Sequence, residues 1–169
     1  MRDFARGQFS LAQAPRRLRL IYAGFLLLVS VGVLTQLGFQ LARIGISPRA
    51  IATYYRGGES GEVMAFPKTF GQLLEVTHAH AFMMAVIFLV LAHLFVATAV
   101  SDTTKNVVLV VTFGGTLGDV LGPWLVRYGA GWCAWIMLVS WAALGLGTIL
   151  LIVFSAWSCV GPAGETMMK

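Results

Sequence analysis

Four stretches of the chain stay apolar for about twenty residues or more: 20–42, 79–100, 107–126 and 132–157. Each is long enough to cross a hydrocarbon core of ~30 Å at ~1.5 Å per residue, so each predicts a spanning helix. The polar positions between them predict the connections. Ser101 to Asn106 reads as a tight hairpin, which makes the second and third spans antiparallel neighbours. Gly129-Ala130-Gly131 turns into the fourth span. The longest extramembrane segment is 43–73. Within it Ser47-Pro48 is a good N-cap and first-turn pair, predicting a short helix through Tyr54 and Tyr55. Gly57 to Glu62 reads as a flexible turn, and Phe66-Pro67 as the start of the second helix, which then projects beyond the bilayer before His78. The expected fold is all-α: one four-span membrane bundle over 1–169, with one outer loop containing a short helix.

Polar and small residues inside the spans then suggest which faces meet protein. Gln36 and Gln40 lie four apart on one face of the first span, and such a stripe normally faces protein or a water-filled cavity. Gly114, Gly118 and Gly122 form a GxxxGxxxG series that lets a neighbouring backbone come close, with Ala143 and Gly147 a similar pair on the fourth span. Thr112, Thr116 and Asp119 make a second stripe beside those glycines. A carboxyl at that depth needs a partner, across the packing seam or on a proton path. With Gln36, Gln40 and Arg127, Asp119 is a candidate for handling protons or a quinone headgroup.

Composition settles the class and narrows the partners. The chain is 58% hydrophobic and 11% charged, with a mean hydropathy of +0.81. A soluble domain carries about 25% charged residues, so this is an integral membrane protein surrounded by lipid. The net charge of +5 does not point to nucleic acid. Arg2, Arg6, Arg16, Arg17 and Arg19 cluster before the first span, on an arm expected to lie along the membrane surface without a core of its own. Seven of the 12 Lys and Arg fall on the side holding both termini, which predicts cytoplasmic termini, in a bacterial inner membrane. The first apolar run is longer than a signal-peptide core and lacks a convincing cleavage site, so it reads as an uncleaved span. Cys133 and Cys159 stand at opposite ends of the last span, about 39 Å apart along a helix, too far for an intrachain disulfide.

The 3 histidines, His78, His80 and His93, all fall on the second span. By that span's limits His78 and His80 stand at its mouth and His93 well inside. His80 and His93 are separated by a rise of about 20 Å. In that spacing the segment resembles the ligand helices of membrane b-type cytochromes, where one helix serves two haems in opposite leaflets. The resemblance implies haem b on His80 and His93 and electron exchange with a quinone or a partner cytochrome. At ~100° per residue those two lie roughly 140° apart around the axis, whereas His78 and His93 are only about 60° apart. No histidine opposes them from another span. A two-sided haem site would need Met137, other membrane subunits or a second copy of the chain, so an oligomer or complex is expected. A different chemistry is offered by Glu75 and His78, one turn apart, with Glu62 or His80: a copper or zinc site at the outer mouth. The remaining alternative is a structural or assembly subunit whose histidines only form hydrogen bonds. No phosphate-binding loop, dinucleotide fingerprint, HExxH or GxSxG motif occurs.

Overall fold

A computed structural model describes residues 10–60 and 63–160. Four helices in it are long and apolar enough to cross a membrane. They are α1 (Arg16–Arg43), α3 (Phe70–Val96), α4 (Asp102–Trp124) and α5 (Ala134–Val160); α2 (Pro48–Arg56) is a short helix between the first two. The all-α membrane bundle expected from the pattern is thus the observed architecture. Residues 58–60 are not simply a turn, because β1 (Gly58–Ser60) pairs antiparallel with β2 (Val63–Ala65), Gly58 opposite Ala65. Gly57 makes that ribbon possible. Its φ of 79° is open to glycine, and a Cβ there would meet the Ala65 carbonyl oxygen at 2.8 Å. Arg2, Arg6, Glu62 and Lys169 lie outside the described residues.

Local capping moves two helix starts away from the expected positions. α3 begins at Phe70, after Pro67, because Thr69 and Gln72 form a capping box: Gln72 N donates to Thr69 Oγ1 (3.2 Å) and Thr69 N donates to Gln72 Oε1 (3.0 Å). α4 begins at Asp102 because Ser101 Oγ accepts from Thr104 N at 3.3 Å; most of the expected hairpin is its first turn. The turn between α3 and α4 is therefore 97–101. This corrects the depth of the histidines. His93 falls in the last turn of α3, whereas His80 sits 16 residues from that end, about 24 Å along the axis. Along α3, His80 is the histidine nearest the middle of the helix.

The tightest helix pair is α4 with α5, and small residues explain it. A Cβ on Gly115 would lie 2.6 Å from Leu144 N and 2.9 Å from the Ser140 carbonyl oxygen; one on Gly118 would strike Ser140, and one on Gly122 would strike Met137. From the other side, Gly147 admits Thr112. Gly114 has open space around it and is not in the seam. The ridge is Thr112, Gly115, Gly118 and Gly122, which at ~100° per residue lie within about 120° of one another, while Gly114 is about 100° around the axis from Gly115, off that face.

Packing is concentrated at the two ends of the bundle. At the end near the termini, Leu26, Phe88, Leu91, Phe95, Val108 and Leu151 form a core. Leu11 joins them, fully buried, with its N–H donated to the Ala97 carbonyl at 2.9 Å. The described part of the N-terminal arm therefore does enter the core, contrary to the expectation that it only lies on the surface. At the far end Ile51 and Tyr55 of α2 pack with Leu73, Val126, Ala134 and Met137. α1 is held at Tyr22–Val29 against the first core and at Ile44 against the second. Between them no residue of 31–39 is buried.

Candidate intramembrane cavity

The exposed stretch of α1 borders a cavity of about 420 Å³. α1 contributes Gln36, Phe39 and Gln40; α2 contributes Tyr54 and Tyr55; α3 contributes Gln72, Glu75, Val76, Thr77 and His80; α4 contributes Asp119 and Pro123, and α5 contributes Trp141. Helix register brings these groups to one level. Asp119 is 17 residues from the start of α4, about 26 Å, which matches the depth of His80 on the antiparallel α3.

Local bonds aim His80 and Asp119. His80 Nδ1 is 3.0 Å from the Val76 carbonyl oxygen. A carbonyl only accepts, so Nδ1 carries the proton, and in its neutral form the ring has its lone pair on Nε2. Asp119 Oδ1 accepts from Trp141 Nε1 at 2.7 Å, a bond that also ties α4 to α5. Pro123 has no N–H to give the carbonyl four residues earlier, that of Asp119. Just beyond it the chain loosens into a π-helical turn, Leu125–Gly129. Gln40 Nε2 is buried and has no hydrogen-bond partner. At the rim the Lys68 ammonium lies 4.1 Å from the centre of the Tyr54 ring. Burial, then the neighbouring Tyr54 and Asp119, push the Tyr55 phenol well above its ordinary range, so it stays an intact hydroxyl.

The residues singled out from the sequence divide into two sets. His80, Asp119, Gln36, Gln40 and Glu75 meet at the cavity. His93 does not; it is exposed, with Nδ1 2.7 Å from the Leu89 carbonyl and Nε2 open. His78 is also exposed, its ring 5.0 Å from that of Phe82. Among the described residues no three His, Cys, Asp or Glu side chains converge as a metal group. Arg127 works away from the cavity, its Nε donating to the Lys68 carbonyl at 2.8 Å. Arg56 caps the end of α4 by donating to the Val126 (3.0 Å) and Gly129 (3.1 Å) carbonyls. Met137 is buried under Gly122 and does not line the cavity. Cys133 and Cys159 are both free.

Gln72, Trp141 and Pro123 were not apparent as site residues from the sequence. Pro123, four residues after Asp119, was a readable signal of a released carbonyl. Trp141 carried none, because an indole in an apolar run looks like core.

Four spanning helices with polar side chains gathered at one cavity define an integral membrane helical domain. Residues 45–166 match the model of the Aq_1264_TM family of transmembrane helical domains, and the chain belongs to that family. The matched region runs from before α2 to the end of α5; α1 lies outside it. Neither a curated protein nor a solved structure matches the chain.

Proposed function

We propose that this protein is a membrane subunit of an electron-transfer assembly and that the cavity receives the headgroup of a quinone or hydroquinone. The observation that carries the reading is Gln40 Nε2, a buried donor without an acceptor beside a cavity. An unsatisfied buried donor costs about 1–3 kcal/mol, and a ligand carbonyl in the cavity would recover it. The other groups suit the two redox forms of such a ligand. A quinone offers carbonyl oxygens to the Gln40 amide. A hydroquinone offers hydroxyls, for which His80 Nε2 is the acceptor. Oxidation of a hydroquinone releases two protons and two electrons. His80 Nε2 and the Asp119 carboxylate are bases for the protons, and the electrons pass to a redox centre of the assembly.

His93 supports a second, compatible element. Its open Nε2 on the outward face of α3 suits a haem b held between this chain and another polypeptide, which supplies the opposite ligand.

Binding of a short-tailed quinone to the protein in lipid nanodiscs tests the cavity reading. Gln40→Leu keeps the side-chain volume and removes the donor, so it should weaken binding by about tenfold. If neither redox form binds the unaltered protein, the reading fails.

A further inference from the structure

We propose that the cavity opens sideways into the bilayer, through a window between α1 and α3, and that its ligand lies with an apolar tail through that window. The proposal rests on the quinone reading and adds where the ligand's tail must go. α1 touches the bundle core at Tyr22–Val29 and again at Ile44. Of the nine intervening positions 31–39, only Val33 is even partly covered; the other eight are exposed. On α3, the cavity-lining Val76 is 50% exposed, and opposite it on α1 the cavity-lining Phe39 is 49% exposed. Both residues therefore face the cavity and the outside at once. They are apolar, and both lie within spanning helices. In a bilayer crossed by these helices over their full length, the medium beyond both residues is lipid.

The remaining walls are closed differently. α2 and the adjoining segment cover the cavity at the end away from the termini, where Ile51 and Tyr55 are buried and Lys68 N donates to the Tyr55 carbonyl at 3.0 Å. α4 and α5 close the back, joined by the glycine seam and the Asp119–Trp141 bond. A ligand whose polar end reaches Gln40, His80 and Asp119 has an apolar way out past Phe39 and Val76, beside the Arg43 guanidinium 5.3 Å from the centre of the Phe39 ring. That geometry fits a headgroup on an isoprenoid or alkyl chain and places the chain in the leaflet remote from the termini.

The test is photolabelling of the full-length protein in lipid nanodiscs. The probe is a quinone carrying a diazirine on its first isoprenoid unit, and unlabelled quinone is the competitor. Adducts that the competitor removes should map to 31–40 on α1 and 76–83 on α3. Competed adducts on α2 or within 57–69 would mean that the tail leaves on the aqueous side; they overturn the window and leave the headgroup site standing. Absence of any competed adduct overturns both. Co-purification of a second polypeptide that cross-links to 31–40 and suppresses the adducts would show the window filled by protein, and overturns the proposal as well.

Discussion

Gln40 and His80 present complementary halves of a hydrogen-bonding site, one an N–H without an acceptor and the other an imidazole lone pair. That asymmetry separates their roles. His80→Ala removes an acceptor, so it should lower hydroquinone affinity by about tenfold and change quinone affinity by less than about twofold. Titration of both redox forms against the variant checks this. Equal losses for the two forms would make His80 a packing residue. Both glutamines and Asp119 were recognisable in the sequence because polar side chains at membrane depth need a reason to be there. His93 lies nearer a helix end than the apolar run suggests, because the run continues to residue 100 whereas the helix ends at Val96.

At the scale of elements, the α4–α5 seam depends on which glycines meet the neighbouring backbone. Gly115→Leu and Gly118→Leu should each cost about 3 kcal/mol or more, since the new side chains have only backbone or a buried serine to displace. Gly114→Leu, facing open space, should stay within about 0.5 kcal/mol. Thermal unfolding in detergent distinguishes them; a Gly114 variant as unstable as the Gly115 variant would contradict this seam. The GxxxGxxxG series pointed to the right helix and to two of the right glycines. It missed Gly115 because a spacing rule read along one helix carries no information about the partner's position. Helix starts were readable in Thr69-x-x-Gln72 and in Ser101, but the apolar run, which outlasts or falls short of the hydrogen-bonded helix, drew the boundaries elsewhere.

Across the whole molecule, all 3 histidines belong to α3, and no imidazole from another helix can oppose them within one chain. A low-spin, bis-histidine haem therefore requires a second polypeptide. Gently solubilised material that shows reduced α and β bands should run well above the 18.3 kDa of one chain, and His93→Ala should shift or abolish the bands. The same spectrum from a monomer, or a spectrum unaltered by His93→Ala, would exclude His93 as an intermolecular ligand. The outward position of His93 is what makes the partner necessary.

The sequence by itself determined the membrane class, the number of spans, the short helix at Ser47-Pro48 and the residues too polar to face lipid without cause. These are local properties: hydropathy over twenty residues, a cap, a charge. The tertiary structure alone decided which of those polar residues meet. Gln36 and Gln40 come to the cavity with His80 and Asp119 because α1 is held against the two cores at its ends. His80 and Asp119 come level because two capped helix starts set the register of α3 against α4. Such coincidences depend on the relative translation and rotation of separate helices, set by side-chain packing across distant parts of the chain. Periodicity within any one helix does not contain them.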